Sequence, residues 1–437
     1  MPVKLARLLP FLLLIPLSAY ALEPLVAGPA DWQLGGYLKS FTSMTQGAGY
    51  FGDLGLTDRE TFWNNTTRAR VRSDLALGEV VNFVVHYEAF NQIGDDLRLR
   101  HEAQEQIGPL PFGKQILAVL IPQTSVPELF NLDHQLSHGD EYNLSHRLDR
   151  LFMRMHLGPW NFTLGRSALT WGPGKIWNPT DYIAGFAPTE IDKEEKLGVD
   201  LAHARVALAP TISLEGYAAP VRKGPNGIDT HGSAAAARLN VNALHTDWGL
   251  SGGWIYDRSI VGLDIDATIG DAGLRGALTR TAVDGVPGKL FWQSLVNFDY
   301  AFNCSWNPYL AAEYFYNGYG ETDPEKYPEL LQRPEFARAA ARRQLFTVGV
   351  HYFGLIFNLQ PHALVTLSDM PIVNILDHSM FNYFSVTWSV IQNLDLQVGA
   401  QNGLGPIPSE YGGSVSPFTA KDVPTSDLYF AYLKFYY

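Results

Sequence analysis

Arginines recur with a spacing of two in one stretch of the chain. Arg68, Arg70 and Arg72 alternate with small or apolar residues and lead to Asp74. Arg150, Arg154, Arg166, Arg205 and Arg238 continue the series on later segments of the same kind. A guanidinium is always charged and its planar fork matches a carboxylate or a phosphate. Several on one wall would attract anions. Pairing with Asp74, Glu88 and Asp149 would turn the same residues into a neutral lattice, and the two roles are compatible.

A second concentration of chemistry lies in 172–196. It opens Gly172-Pro173-Gly174-Lys175-Ile176-Trp177-Asn178-Pro179-Thr180-Asp181 and continues through Tyr182, Phe186, Glu190, Asp192, Glu194 and Glu195. Hinges, aromatics and acids in one loop suit a constriction, and acids opposite a basic wall would set a field across a passage. The candidate lining residues are therefore Arg70, Arg72, Arg150, Arg154, Arg166, Arg205, Trp177, Asp181, Glu190 and Asp192. Loss of Arg150, Arg154 and Arg166 together is expected to lower anion preference.

Signs of catalysis are weak by comparison. His134 and His138, flanked by Asp133 and Asp140, have the i, i+4 spacing that chelates a metal on a helix. No HExxH glutamate accompanies them, and the flanking Gly and Ser suit a solvated loop. Ser145-His146 and Thr230-His231 are neighbours in sequence without a nucleophile elbow. Neither a P-loop nor a GxGxxG opening a helix occurs. No catalytic residue, cofactor or resident metal is assigned. One cysteine, Cys304, excludes an internal disulfide and any CxxC motif. A net charge of −12 argues against nucleic-acid binding.

The elements that must carry these residues are strands. Val81, Phe83, Val85 and Tyr87 alternate with Asn82, His86 and Glu88. Leu151, Met153 and Met155 alternate with Arg150, Arg154 and His156, and Leu310, Ala312, Tyr314 and Tyr316 with Glu313 and Asn317. One apolar and one polar face define a half-buried strand. These runs extend over about 10–14 residues, enough for a tilted strand to cross a bilayer. Charged residues make up only 17% of the 437 residues, and aromatics 13%.

Connections sort into two classes. About 18 strands, with 16 as the alternative, can be counted, starting near Trp32, Thr66, Glu79, Leu144, Trp160, Leu197, Thr211, Gly232, Trp248, Ile260, Ala272, Lys289, Ser305, Arg343, His362, Ser379, Leu394 and Ser426. Even-numbered gaps are tight. Odd-numbered gaps are mostly long, at 91–143, 172–196, 319–342 and 403–425, with one short exception near Arg258-Ser259. Such sorting suits an antiparallel up-and-down transmembrane β-barrel with both termini on one side. Trp32, Trp63, Trp160, Trp171, Trp248 and Trp292 would form its aromatic girdles.

Residues 1–21 read as a cleaved signal peptide. Lys4 and Arg7 precede the short apolar run Leu8–Leu17, and Ala19-Tyr20-Ala21 supplies a cleavage site. The barrel would then occupy 22–437. Its last stripe, Tyr429, Ala431, Leu433, Phe435 and Tyr437, ends on an aromatic.

Taken together the chain resembles bacterial outer-membrane porins and related export barrels such as the alginate-export type. Leu164-Gly165-Arg166 followed by Thr170-Trp171-Gly172 is similar to a GRQ…WG element of several such barrels, with Ser167 in the place of the Gln. The resemblance implies an outer-membrane channel for passive diffusion of small polar, including anionic, solutes. It implies surrounding outer-membrane lipid and recognition of Phe435 and Tyr437 by the barrel-assembly machinery. A homo-oligomer or a periplasmic partner is compatible with it. Two other classes fit the pattern less directly: a scaffold, sheath or export barrel holding a partner protein or polymer, and an outer-membrane hydrolase. Two further local readings concern Ile116–Ile121, apolar enough for a partial plug, and Pro334–Arg343, a short helix at the rim.

Overall fold

A computed structural model describes residues 25–437 apart from 28, 29, 48, 54, 108, 110–127, 225, 226, 285–288, 417 and 418. The signal-peptide segment and Ile116–Ile121 lie outside the described residues. Eighteen antiparallel strands close into one barrel. The first six are β1 (Ala30–Gln46), β2 (Thr61–Leu77), β3 (Val81–Gly94), β4 (Tyr142–Leu157), β5 (Trp160–Ser167) and β6 (Val199–Ala209). The next six are β7 (Ile212–Ala219), β8 (Ala234–Ala243), β9 (Thr246–Ile255), β10 (Arg258–Ile269), β11 (Ala272–Val283) and β12 (Leu290–Ala301). The last six are β13 (Tyr309–Asn317), β14 (His351–His362), β15 (Val365–Asn374), β16 (Ser379–Ile391), β17 (Leu394–Leu404) and β18 (Asp427–Tyr436). Each strand pairs with the next in sequence, and β18 pairs with β1 from Tyr37↔Tyr436 to Gln46↔Asp427. Closure leaves no unpaired edge, which is what a lipid-embedded sheet requires.

The alternation read from sequence separates two surfaces. Val71, Phe83, Tyr87, Leu151, Leu263, Val296, Phe353 and Val398 are exposed on the outside. Their neighbours Arg70, Glu88, Asp264, Asn297 and Gln397 are buried inside. An apolar belt facing out and a polar face within is the inverse of a soluble protein and suits a bilayer.

Loop sorting holds, with adjustments. Short turns at 158–159, 210–211, 244–245, 270–271, 363–364 and 392–393 close one end, and 47–60, 95–141, 168–198, 318–350 and 405–426 populate the other. At the long-loop end two connections are short, Tyr256-Asp257 and Ile375–His378, where one is expected. β14 begins at His351 rather than near Arg343. The intervening segment stays in the mouth because Leu345 and Val348 bury against Tyr319, Tyr327, Leu330 and Phe336. The expected rim helix is present as Pro334–Ala341, with Phe336 and Ala339 in that cluster.

Two expectations are overturned. Trp171 is not a girdle residue: it is 5% exposed and lies inside the barrel, since the chain turns inward after Ser167. His134 and His138, expected in a solvated loop, are exposed on a strand, Asp133–His138. At about 3.3 Å per residue their α-carbons stand roughly 13 Å apart, too far to share a metal.

Candidate functional site

The inward connection 168–198 between β5 and β6 defines the site. Its tip is held by β13. The Glu313 carboxylate accepts the backbone N–H groups of Lys175, Ile176 and Trp177 at 2.9, 3.0 and 2.7 Å, and the Asn297 amide at 3.1 Å. Three successive amides around one carboxylate form a pre-shaped anion cradle that this acid fills. Ile176 and Trp177 bury against inward residues of β11 to β15, namely Ala277, Leu295, Phe315, Tyr352 and Ile372. Trp177 stacks on Phe315 with ring centres 5.3 Å apart. Such apolar inward faces would be wet in an empty lumen, and the loop covers them.

Farther along, Trp171, Tyr182, Ile183 and Ala184 cover Val199, Leu201, Tyr217, Ala236, Ile255 and Ile260 on β6 to β10. The Tyr182 hydroxyl meets the Ser251 hydroxyl on β9 at 2.7 Å. Lys196 binds Asp181 at 2.5 Å across the base of the loop. Burial pushes the Asp181 carboxyl up and Lys196 draws it back.

The acidic end of the loop docks on the opposite wall. Asp192 pairs with Arg68 and accepts from the Tyr432 hydroxyl at 2.5 Å. Burial alone would raise the Asp192 carboxyl, but Arg68 and Lys39 outweigh it and hold it below the ordinary carboxylate range. Glu194 binds Lys39 at 2.5 Å and Lys434 at 2.6 Å. Glu195 pairs with Arg70 and Arg72, and Glu190 with Arg343. The sequence pattern suggests acids and bases facing each other across a passage. In the structure the loop closes onto the wall, so charges expected to be separated are in contact. Direct pairing offsets the cost of taking both charges out of water.

The wall itself is also paired. Arg70 donates to Glu88 at 2.8 Å and to Asp149 at 3.0 Å. Arg150 binds Asp149 at 2.6 Å and the Lys196 carbonyl at 2.5 Å. Arg166 binds Asp200 at 2.9 Å and Glu128 at 3.1 Å. Arg154 and Arg205 stand apart from this lattice. Arg154 is exposed, with its guanidinium 5.4 Å from the Phe152 ring. Arg205 is exposed too and donates to the Ser213 hydroxyl at 3.1 Å. Neither has an ion-pair partner among the described residues.

Of the ten candidate residues, Arg70, Arg72, Arg150, Trp177, Asp181, Glu190 and Asp192 are joined by the inward loop. Arg166 sits beside its exit from β5, and Arg154 and Arg205 lie on the wall. Sequence reasoning missed Glu313 as an anchor; its signal was an acid on the inward face of a strand whose neighbours there, Ala311 and Phe315, are apolar. It also missed Lys39, whose 1% exposed ammonium side chain sits on a strand with no other charge nearby in sequence. Lys193 was missed as well. Burial draws its ammonium down to about 8.

No family model matches the sequence, and no curated protein matches it. Solved structures do resemble it in fold. Pseudomonas aeruginosa OccD3 (OpdP) gives a TM-score of 0.50 at 10% identity, covering 95% of this chain and 92% of that one. P. aeruginosa OccK8 (OprE) also gives 0.50 at 10% identity, covering 93% and 98%. At that identity the likeness concerns the fold alone. Fold, outward apolar belt and inward loop define the class: an 18-strand β-barrel of porin-like fold.

Proposed function

We propose that this protein is a passive outer-membrane channel for small polar solutes, anions among them. It performs no chemical step. The observation that carries the reading is a closed 18-strand barrel with a polar inner wall, whose connection 168–198 turns inward and binds that wall. A barrel of that strand number encloses water unless it is filled. Beside the loop a space of about 570 Å³ opens toward the short-turn end, bounded by Arg205, Glu215, Arg238, Asp264 and Asp266. That mixed lining favours polar over apolar solutes without strongly favouring one sign. The outer belt meets outer-membrane lipid, and the terminal strand with Phe435 and Tyr437 is the segment read by the assembly machinery. One specific feature favours a second reading, a barrel plugged until a partner engages it: the loop is bound on every side of the lumen.

Planar-bilayer recording on the refolded full chain separates them. Stable conductance steps, with a small reversal potential in a salt gradient, are expected. A correctly folded, heat-modifiable barrel that gives no steps would overturn the channel reading and favour the plugged one.

A further inference from the structure

The strand Asp133–His138 ends the connection 95–141 and folds back along the long-loop end of β4. A tight turn joins the two, with the Gly139 N–H donating to the Tyr142 carbonyl at 2.9 Å. All six residues of the strand are exposed and only Leu136 is apolar, so it stands in water or among headgroups rather than in hydrocarbon. The pairing sets His134 directly opposite His146. Their rings meet edge to face with centres 5.8 Å apart. The Tyr87 ring, exposed on the outside of the barrel, is centred 5.5 Å from His146, so the pair faces outward. Neither imidazole has a hydrogen-bond or ion-pair partner among the described residues. Other histidines are engaged: His86 by Arg70 and Asp74, His203 by Glu215, His351 by the Tyr314 hydroxyl.

We infer that His134 and His146 form a binding site for one transition-metal dication of the Zn²⁺ and Cu²⁺ class, with water in the remaining positions. A metal–imidazole bond is about 2.0–2.1 Å and the ring centre lies about 1.1 Å behind the nitrogen, so two rings sharing one ion have centres about 4.5–6.4 Å apart. The observed 5.8 Å falls inside that span. Turning the rings about their side-chain bonds aims a nitrogen of each at one point without moving the strands. Imidazole suits this class of ion, whereas Ca²⁺ and Mg²⁺ prefer oxygen ligands. The ladder and the tight turn hold both ligands in place beforehand, which lowers the entropic cost of binding. The bound ion pins the returning strand of the connection 95–141 to the barrel wall. This site stands whether or not the barrel conducts.

The test is calorimetric titration of the refolded, tag-free full chain in detergent with ZnCl₂, each variant first checked for heat-modifiable mobility. Half-saturation should rise by at least about tenfold in His134→Gln and in His146→Gln, the least that losing even an outer partner of a metal ligand costs. His138→Gln should leave it unchanged. Equal Zn²⁺ binding in the original, His134→Gln and His146→Gln proteins would overturn the site, as would an equal loss in His138→Gln. Displacement of Zn²⁺ by equimolar Ca²⁺ would overturn the imidazole chemistry. A second measurement holds even where a variant fails to fold: electron paramagnetic resonance of Cu²⁺ bound to the unaltered protein. Splitting from two imidazole nitrogens is expected, and a spectrum without nitrogen splitting would overturn the proposal.

Discussion

At the scale of single residues the governing fact is which charges are paired. Arg166 is the ion-pair partner of buried Asp200, and Arg70 and Arg150 share buried Asp149, so removing any of them strips a buried acid of compensating charge. Breaking such a pair typically costs about 3–5 kcal/mol. Their loss should therefore lower barrel stability more than it changes ion selectivity. Arg154→Gln and Arg205→Gln, by contrast, should shift the reversal potential toward cations with little change in heat-modifiable mobility. An unshifted potential would contradict their place on the aqueous wall. Sequence alone made the arginines visible, because a period of two marks one strand face. It did not reveal their partners, since Asp192 and Glu195 are more than a hundred positions from Arg68 and Arg72. A second residue-scale prediction concerns Glu410, in the connection 405–426. Burial pushes its carboxyl up to about 7, and it accepts from Tyr352 and Asn374 close to Asp377. A folded value above the ordinary one means its stabilisation is complete at low pH and fades as pH rises through about 7. Limited proteolysis of the mouth should accelerate between pH 6 and pH 8, conditions on the order of one unit either side of that value, and Glu410→Gln should flatten the profile. Equal profiles for both proteins would contradict this role.

Among elements, the inward loop is the one on which the proposed channel depends most. Glu313 gathers three amides at its tip, and hydrogen bonds to a charged acceptor contribute about 1.5–3 kcal/mol each. Glu313→Gln keeps the shape but removes the charge. Expected is a noisier trace with larger open steps and faster cleavage within 168–198, readable by bilayer recording and mass mapping of the fragments. Unchanged traces would place the anchor elsewhere. The strands carry a complementary prediction. Leu263 faces lipid, and an arginine there should destabilise the barrel by about 2–4 kcal/mol, measured by urea unfolding in vesicles. Strands were readable from alternation and their number from turn spacing. Where reading failed, a local pattern had been captured by a tertiary context. Trp171 resembles a girdle residue yet follows the point where the chain leaves the wall. The segment before His351 alternates like a strand, but Leu345 and Val348 serve the cluster in the mouth. His134 and His138, in a Gly- and Ser-flanked segment that suits a loop, lie on an extended strand. That the loop after β5 is distinctive was legible in its composition, whereas its contact with the basic wall was not.

On the scale of the whole molecule, closure of the sheet and filling of the lumen are separate achievements of one sequence. Closure depends on the β1–β18 seam, where the terminal Tyr437 exchanges backbone hydrogen bonds with Gly36 and its ring lies over that glycine. A side chain at Gly36 would run into the Arg70 carbonyl oxygen on β2 and into the Tyr437 phenol, whose oxygen and adjoining ring carbon would be 2.7 and 2.8 Å away, so this position needs a residue without one. Filling depends on a loop that binds β1, β2, β9, β13 and β18 at once. We propose that this loop both narrows the passage and neutralises the arginine wall. The most direct measurement is single-channel conductance with reversal potential in a salt gradient, comparing the original protein with the combined Asp192→Asn, Glu194→Gln and Glu195→Gln variant. Freed from Lys39, Arg68, Arg70 and Arg72, the loop should leave the wall, giving larger steps and a reversal potential displaced toward anions. Steps of the same size with the same reversal potential would contradict the claim.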